Sequence, residues 1–362
     1  MNRVRIGLVG TGTIAHIMHL PGIETMREMG LVELVAVCDV LEDKARAAAE
    51  RYRAASHYGD LDRMLAEADF DLLVNNTPIP QHFAVTMAAL RSGRHVYTQK
   101  PMTNTVDEAT RLIDEAHARR LLLAVAPEHP VRPVVQRLAS LVAEGAIGKV
   151  TFARVQSSHD GPEKHEVPRD STWFYKPGSS PILDMGVHGL SQITAIVGPV
   201  RRLSCLSGRS QETRMTTRGP FKGKRIDVEI DDNSLLLLDF GDARLAMLDA
   251  TYCVPASKSP RMEIHGTDGT LSLVGQGPVP REPALYLYRT ATDSWEEIEI
   301  PAAPPVRDLG VLHMVECLRE GKPLVLTGER GRHLVEVLAK APLAAEQART
   351  LDIETTFGRD EG

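Results

Sequence analysis

Residues 4–15 read VRIGLVGTGTIA. A short aliphatic run ends at Gly10, a second glycine follows at position 12, and a small residue stands at position 15. Strands that are apolar on successive residues are buried on both faces, as in a parallel sheet. Glycines at such a strand's end mark a tight turn into the next element. Outward from this stretch, the same kind of run recurs at LVELVAVCD (31–39), FDLLVNNTP (70–78), RHVYTQ (94–99) and RLLLAVAP (120–127). Between the runs lie helical patterns: LEDKARAAAERYR (41–53), HFAVTMAALRSG (82–93) and TVDEATRLIDEAHAR (105–119). The last opens on Thr105 with Glu108 three residues on, a capping-box spacing. Strand–helix alternation predicts a doubly wound α/β domain over residues 1–125.

The second half has another rhythm. After a helical stretch near 133–144 and the turn EGAIG, strand-like segments follow without helices between them: 150–159, 234–240, 243–252, 261–266, 270–275 and 284–290. Turn signals such as FGD and GTDG separate them. This predicts an α+β domain over 126–362 with a large, mostly antiparallel sheet. Helices near 309–320 and 328–348 close that domain, and the tail GRDEG is expected to lack order.

The 362 residues carry a net charge of −6. No general electrostatic pull toward nucleic acid or an anionic membrane follows from that balance. Four cysteines (Cys38, Cys205, Cys253, Cys317) are widely spaced without a CxxC pair. They fit thiols in a reducing compartment rather than a disulfide frame or zinc site. The amino terminus shows no signal-peptide pattern, and no apolar run approaches about 18 residues. A cytoplasmic protein without membrane or nucleic-acid partners is expected.

The stretch GTGTIA matches G-x-G-x-x-A between a strand and a helix. In that context Gly10 makes the turn and Gly12 admits a pyrophosphate close to the backbone. Ala15 lets the helix pack, and the helix start offers amide donors. Gly10, Thr11, Gly12, Thr13 and Ile14 are therefore candidate dinucleotide contacts. Asp39 ends the next strand. A carboxylate there accepts bonds from a ribose diol and repels a 2′-phosphate, which predicts NAD rather than NADP. Asp39 lies 27 residues beyond Gly12, more than the usual ~20, and Pro21 and Gly22 predict an irregular crossover that absorbs the excess.

Loops at strand carboxyl ends face the ligand in such sheets. Thr77 and Pro78 of NNTP, and His82 on the helix after it, are thus candidate cofactor contacts, with turn and cap roles as the alternative. Gln99 and Lys100 leave the 94–99 strand on the same rim. Pro101 biases Lys100 toward extended conformations, where it is a candidate to bond a substrate hydroxyl, with a surface lysine whose tip is solvated as the alternative. In GSSPILDMGVHGL (178–190), Asp184 and His188 stand four apart and share one face of a helix. An imidazole there suits proton transfer to or from an alcohol; a cap and a satisfied core histidine are the alternative. Trp173 and Tyr175 concentrate rings in DSTWFYKPG (170–178), where they line a sugar or simply pack the loop. His159, Asp160, His165 and Glu166 form a polar cluster whose spacing matches no standard metal site, so no metal is expected.

The ordered set of G-x-G-x-x-A, K-P and D-x-G-x-H, with EGAIGKV (144–150) and HGTDGTLSL (265–273), resembles the Gfo/Idh/MocA oxidoreductases. The resemblance implies a Rossmann domain and an open-faced sheet domain with the active site between them. It implies Lys100, Asp184 and His188 as the catalytic set. It also implies hydride transfer between a secondary alcohol of a sugar, cyclitol or related polyol and NAD. His188 takes the hydroxyl proton, Lys100 polarises the oxygen and Asp184 positions hydroxyls. Homodimers or homotetramers through the sheet domain are implied as well. The chain departs from the family pattern at Gln99, where glutamate is usual, at GSSP in place of a glycine triplet, and at Ser191 in place of an acid. The alternative function on this scaffold is a non-enzymatic NAD- or sugar-responsive regulator.

Overall fold

The run VRIGLV forms β1 (Val4–Val9), followed by β2 (Val32–Cys38), β3 (Ser56–Tyr58), β4 (Leu72–Asn75), β5 (His95–Thr98) and β6 (Leu123–Val125). In the computed structural model, which describes residues 3–165, 170–276 and 280–358, these strands make one sheet in the order β3-β2-β1-β4-β5-β6. All its pairs are parallel. Strand β3 was not expected. Its three residues, Ser-His-Tyr, lie at the sheet edge and carry no apolar run to announce them.

The helices α1 (Leu20–Glu28), α2 (Glu42–Tyr52), α3 (Leu61–Glu67), α4 (His82–Arg91) and α5 (Val106–Arg119) connect these strands. The capping box appears as read: Thr105 accepts from the Glu108 amide, although the Glu108 carboxylate reaches the amide of Asn104. Helices α1 and α2 bury side chains with Ile6, Leu8 and Leu34. Helices α3, α4 and α5 bury theirs with Phe70, Leu73 and Val96. Two apolar clusters on the two faces of one parallel sheet make the doubly wound α/β arrangement. The strand order reverses between β1 and β4, the switch point of such a sheet.

The second unit contains α6 (Pro133–Ala143), β7 (Val150–Gln156), α7 (Val187–Val197), β8 (Arg202–Gly208), β9 (Thr213–Met215), β10 (Arg225–Asp227), β11 (Asn233–Asp239), β12 (Leu245–Thr251), β13 (Met262–Gly266), β14 (Gly269–Gln276), β15 (Pro280–Arg289) and β16 (Ser294–Ile298). With β17 (Leu351–Asp352) they form a nine-stranded sheet ordered β16-β15-β14-β13-β7-β12-β11-β8-β17, while β9 and β10 pair separately. Only β7 and β12 run parallel in it. The sheet is open on one face. Along β11, Ser234, Leu236 and Leu238 are buried while Leu235 and Leu237 face out. Leu206 lies opposite Leu235 on β8, and Leu245 of β12 is exposed as well.

The chain closes with α8 (Leu309–Glu320) and α9 (Gly328–Glu346). Here the structure departs from the domain division read in the sequence. The first unit keeps the chain up to Arg132 and takes it again from Ala302 to Val335. The second holds Pro133–Pro301 and resumes at Glu336. The reason is packing: Val311, Leu312, Met314 and Val315 of α8 join the cluster of α1 and α2. Gly310 makes the approach possible, since a Cβ there would stand 2.3 Å from the Tyr97 hydroxyl. A helix's apolar period shows that it has a buried face, not which sheet receives it. Among the described residues, no helix is long and apolar enough to cross a membrane. Tail residues 359–362 lie outside the described residues.

A buried ion cluster organises the loops of the second unit. Arg214 lies between Asp232 (2.7 Å) and Glu163 (3.3 Å), and all three are essentially inaccessible to water. Asp232 also accepts from the Ser210 amide, and Glu163 from the Tyr175 hydroxyl. Removing the cation would leave two buried carboxylates without their partner. Arg214→Ala is therefore expected to lower stability by about 3–5 kcal/mol. Urea unfolding measures it, and a loss below about 1 kcal/mol would mean that the carboxylates find other partners.

Candidate active site

The carboxyl ends of the parallel strands form a rim that starts at the opening glycines. Gly10 has φ +87°. A Cβ on it would lie 2.7 Å from the Asn76 carbonyl and 2.9 Å from the Thr77 nitrogen. Only glycine lets the loop after β1 meet the loop after β4 at the switch point. Gly12 differs: it is exposed, and a Cβ on it would meet nothing within 4 Å. Its open side is where a ligand can approach the backbone. Thr13 and Ile14 begin a helical turn that widens to π geometry over Ala15–His19 before α1. The irregularity expected at Pro21 and Gly22 lies earlier in the chain, in this π turn. Pro21 and Gly22 sit inside the first turn of α1, where Gly22 permits contact with Asp308.

Asp39 holds the loop from β2. Its Oδ2 accepts from the Thr11 amide and hydroxyl, each at 2.9 Å, and its Oδ1 from the Leu41 amide at 3.0 Å. Burial opposes its ionisation, but these bonds outweigh burial and hold the carboxyl below its ordinary pKa. Oδ1 keeps a lone pair for a further donor. Beyond it, Val40 is 89 % exposed and Leu41 55 %, an apolar step beside the carboxylate.

After β4, the Asn75 side chain ties the loop together. It accepts from the Thr77 amide and hydroxyl at 3.1 and 2.7 Å and donates to the His82 carbonyl and Thr86 hydroxyl. The neighbouring Asn76 amide is buried and has no protein partner. An orphaned amide in the loop that meets Gly10 fits a bound polar group. After β5, the Gln99 amide donates to the Asn75 carbonyl at 3.1 Å, and half-buried Lys100 follows.

In the second unit, Asp184 stands on a second π turn, Ile182–Gly186, that runs directly into α7, whose first turn carries His188. Four residues make roughly one helical turn, which keeps both on one side. Tyr252, fully buried, donates its hydroxyl to Asp184 Oδ2 at 3.1 Å. The glycines of DMGVHG are packing devices. A Cβ on Gly189 would stand 2.9 Å from Leu248 and Val155, and one on Gly186 3.1 Å from Ala250. Ser157 locks the turn by donating to the Met185 carbonyl and accepting from the Gly189 amide.

Known proteins share this layout. Residues 4–127 match the oxidoreductase family with an NAD-binding Rossmann fold, and residues 135–272 match the Gfo/Idh/MocA C-terminal domain. The chain belongs to the Gfo/Idh/MocA oxidoreductases. Among its relatives in this family, scyllo-inositol 2-dehydrogenase (NADP(+)) of Bacillus subtilis is 22 % identical, over 98 % of this chain and 97 % of that protein. D-apiose dehydrogenase of Paraburkholderia graminis is 23 % identical, over 98 % and 91 %. Levoglucosan dehydrogenase in complex with NADH superimposes with a TM-score of 0.83 at 17 % identity, covering 98 % of this chain and all of that one. That last likeness is one of fold.

The individual residues divide into those facing the rim and those supporting it. His82 is a support: its Nδ1 lies 2.7 Å from the Pro101 carbonyl and its Nε2 2.8 Å from the Thr77 carbonyl. Burial lowers its pKa and the two carbonyl acceptors oppose that shift; its two contacts tie the rim loops together. Thr77 is engaged by Asn75, while Pro78 is exposed. Tyr175 is fully buried, with its hydroxyl on Glu163 and its ring edge-on to Tyr252. It packs the loop instead of lining a surface. Trp173 is half exposed.

Two groups escaped the sequence reading. Asn75 ends an apolar strand and looks like a turn residue. His129 follows β6 on the same rim, and burial, then the Arg132 and Lys100 cations, press its pKa to about 3.

His159, Asp160 and His165 do come together, with donor atoms within 4.8 Å of one another; Glu166 lies outside the described residues. The Gly161 amide donates to His159 Nδ1 at 2.9 Å, which leaves the proton of the neutral ring on Nε2. Burial, then His165, lowers the His159 pKa to about 4. A neutral ring held this way is a hydrogen-bond donor through Nε2.

Gly12 supplies the direct check on the rim. Gly12→Val is expected to leave the melting temperature within about 2 °C of wild type, because its Cβ enters open space. NADH binding, followed by nicotinamide fluorescence, is expected to be lost. Retained affinity would show that the dinucleotide does not approach Gly12.

Proposed function

We propose that this oxidoreductase transfers hydride between a secondary alcohol of a sugar, cyclitol or related polyol and NAD. What supports the reading is that Lys100 leaves β5 on the Gly12 rim, held on both sides by the Gln99–Asn75 bond and the His82–Pro101 contact. Bound nicotinamide supplies or accepts the hydride. Lys100, as a cation, stabilises negative charge developing on the substrate oxygen. His188 takes the hydroxyl proton during oxidation and returns it during reduction. Asp184, braced by Tyr252, accepts from substrate hydroxyls and orients them. Trp173 offers an exposed ring face to a sugar. Asn76 and Asp39 serve the dinucleotide, the first through its unpaired amide and the second through its remaining Oδ1 lone pair.

Asp39 also decides the cofactor in this reading. It is ionised at neutral pH, and a 2′-phosphate beside it meets a like charge worth about 1–4 kcal/mol at close range. NAD should therefore outperform NADP by roughly tenfold or more. The relative named for NADP(+) uses the other dinucleotide on the same fold. The four free thiols suit a cytoplasmic protein.

The test is a panel of cyclitols, aldoses and anhydrosugars with NAD or NADP, monitored by reduced nicotinamide absorbance. Lys100→Ala and His188→Ala should each lose roughly 10²–10⁴-fold in kcat/KM while binding NADH like wild type. Wild-type turnover in both variants would eliminate the mechanism.

We also propose that a second copy of the chain covers the open sheet face. Leu206 (76 % exposed) stands opposite Leu235, Leu237 (58 %) follows two residues on along β11, and Leu245 is a diagonal neighbour of Leu237 on β12. Exposed leucines sharing one face of adjacent strands form the kind of patch that marks an interface. Leu237→Asp should convert the oligomer to monomer by light scattering, and a wild-type protein that is monomeric at micromolar concentration would refute the proposal.

A further inference from the structure

The residue before Lys100 leads into a buried hydrogen-bonded chain. Gln99 Nε2 lies 2.7 Å from His19 Nε2. His19 Nδ1 lies 2.5 Å from Asp308 Oδ2. Asp308 Oδ1 accepts from the Val311 amide at 3.0 Å, capping α8. His19 and Asp308 are both 0 % exposed, so no water substitutes for a missing partner. The donors and acceptors determine each other. A carboxylate only accepts, so His19 carries its proton on Nδ1. His19 Nε2 is then an acceptor, and the group facing it must donate. The Gln99 amide nitrogen does so; a glutamate could not.

We propose that Asp308, His19 and Gln99 form a positioning relay for Lys100. It rests on the reading of Lys100 as catalytic, but it makes a claim about protonation that stands apart from turnover. The relay joins the cap of α8, the π turn after the glycine loop and the end of β5 through side chains alone. Its consequence concerns the usual family residue at position 99. Gln99→Glu presents acceptors to both nitrogens of His19, and the ring answers by taking a second proton. The added negative charge is then neutralised at His19 and does not act on Lys100. The other ionisable groups around the ring leave this exchange to His19. Tyr97 packs edge-on at 5.9 Å, with burial holding its hydroxyl protonated. Glu128 beyond Asp308 is held by Arg132 and the Gly310 amide.

The experiment is ¹⁵N NMR of histidine-labelled full-length protein at neutral pH, with His19→Gln used to assign the resonance. The expected wild-type signal is a neutral ring protonated at Nδ1 and bare at Nε2; in Gln99→Glu both nitrogens carry protons. A wild-type ring protonated at Nε2, or a Gln99→Glu ring that stays neutral, overturns the proposal. Positioning is read in the oxidation assay. Asp308→Ala should lower kcat by roughly 10- to 100-fold with NADH affinity unchanged. Asp308→Asn keeps the cap through its single oxygen and turns its amide nitrogen toward Nδ1; the ring then carries its proton on Nε2, Gln99 turns its side-chain oxygen to it, and kcat should be restored. Equal losses in both variants would refute the relay as a positioning device. Lys100→Ala tests the underlying mechanism separately, so failure of one leaves the other readable.

Discussion

The first unit depends on the contact between Gly10 and the backbone of Asn76 and Thr77. Two loops that leave neighbouring strands in opposite crossover directions touch there, with no room for a side chain. Everything on the rim is referred to that contact. Thr11, next to it, is held by Asp39; Asn75, one residue away, sets Thr77 and receives the Gln99 amide on its carbonyl. A hydrogen-bond net of this density fixes positions to a few tenths of an ångström, the tolerance that chemistry at a reacting centre needs. The cost is an unpaired Asn76 amide in the free protein, a strain that a polar ligand relieves.

Both chemistry-bearing motifs open on π geometry: Ala15–His19 after the glycine loop and Ile182–Gly186 ahead of α7. A π turn inserts one residue into a helix and tends to occur at functional sites because it turns side chains out of the regular phase. In the first unit it points His19 inward to Asp308 and Gln99. In the second it carries Asp184, with Ser157 satisfying the carbonyl of Met185 inside the widened turn. The glycines Gly186 and Gly189 are close-packing sites against β7 and β12.

The parallel sheet, the open antiparallel sheet and the rim positions of Gly12, Asp39 and Lys100 were legible because each rests on a local pattern: apolar runs, turn glycines, an acid at a strand end. Three kinds of feature were not. Strand β3 is too short and polar to show a period. The return of α8 to the first unit depends on shape, with Gly310 against Tyr97, and period carries no information about the receiving surface. Supporting roles were the third. His82 and Tyr175 have residue types that suggest ligand contact, yet their polar atoms are taken by Thr77, Pro101 and Glu163. Whether a polar side chain faces a ligand or braces the loop that does is settled by its partners, which residue type and spacing do not name.

Position 99 shows how far such a dependency extends. Read locally, glutamine in place of glutamate beside a lysine is a missing charge, and the lysine should be less favoured as a cation. The buried chain changes the accounting. Asp308 as a carboxylate accepts at both oxygens, from the α8 cap at Oδ1 and from His19 at Oδ2. That forces His19 to donate through Nδ1 and to accept through Nε2, and only an amide or another donor satisfies it there. A glutamate at 99 brings its own proton to His19, so the local charge next to Lys100 is the same in both cases. Gln99 and a protonated-histidine alternative are thus two solutions of one constraint. The residue beside the lysine is dictated by a helix cap from the far end of the chain.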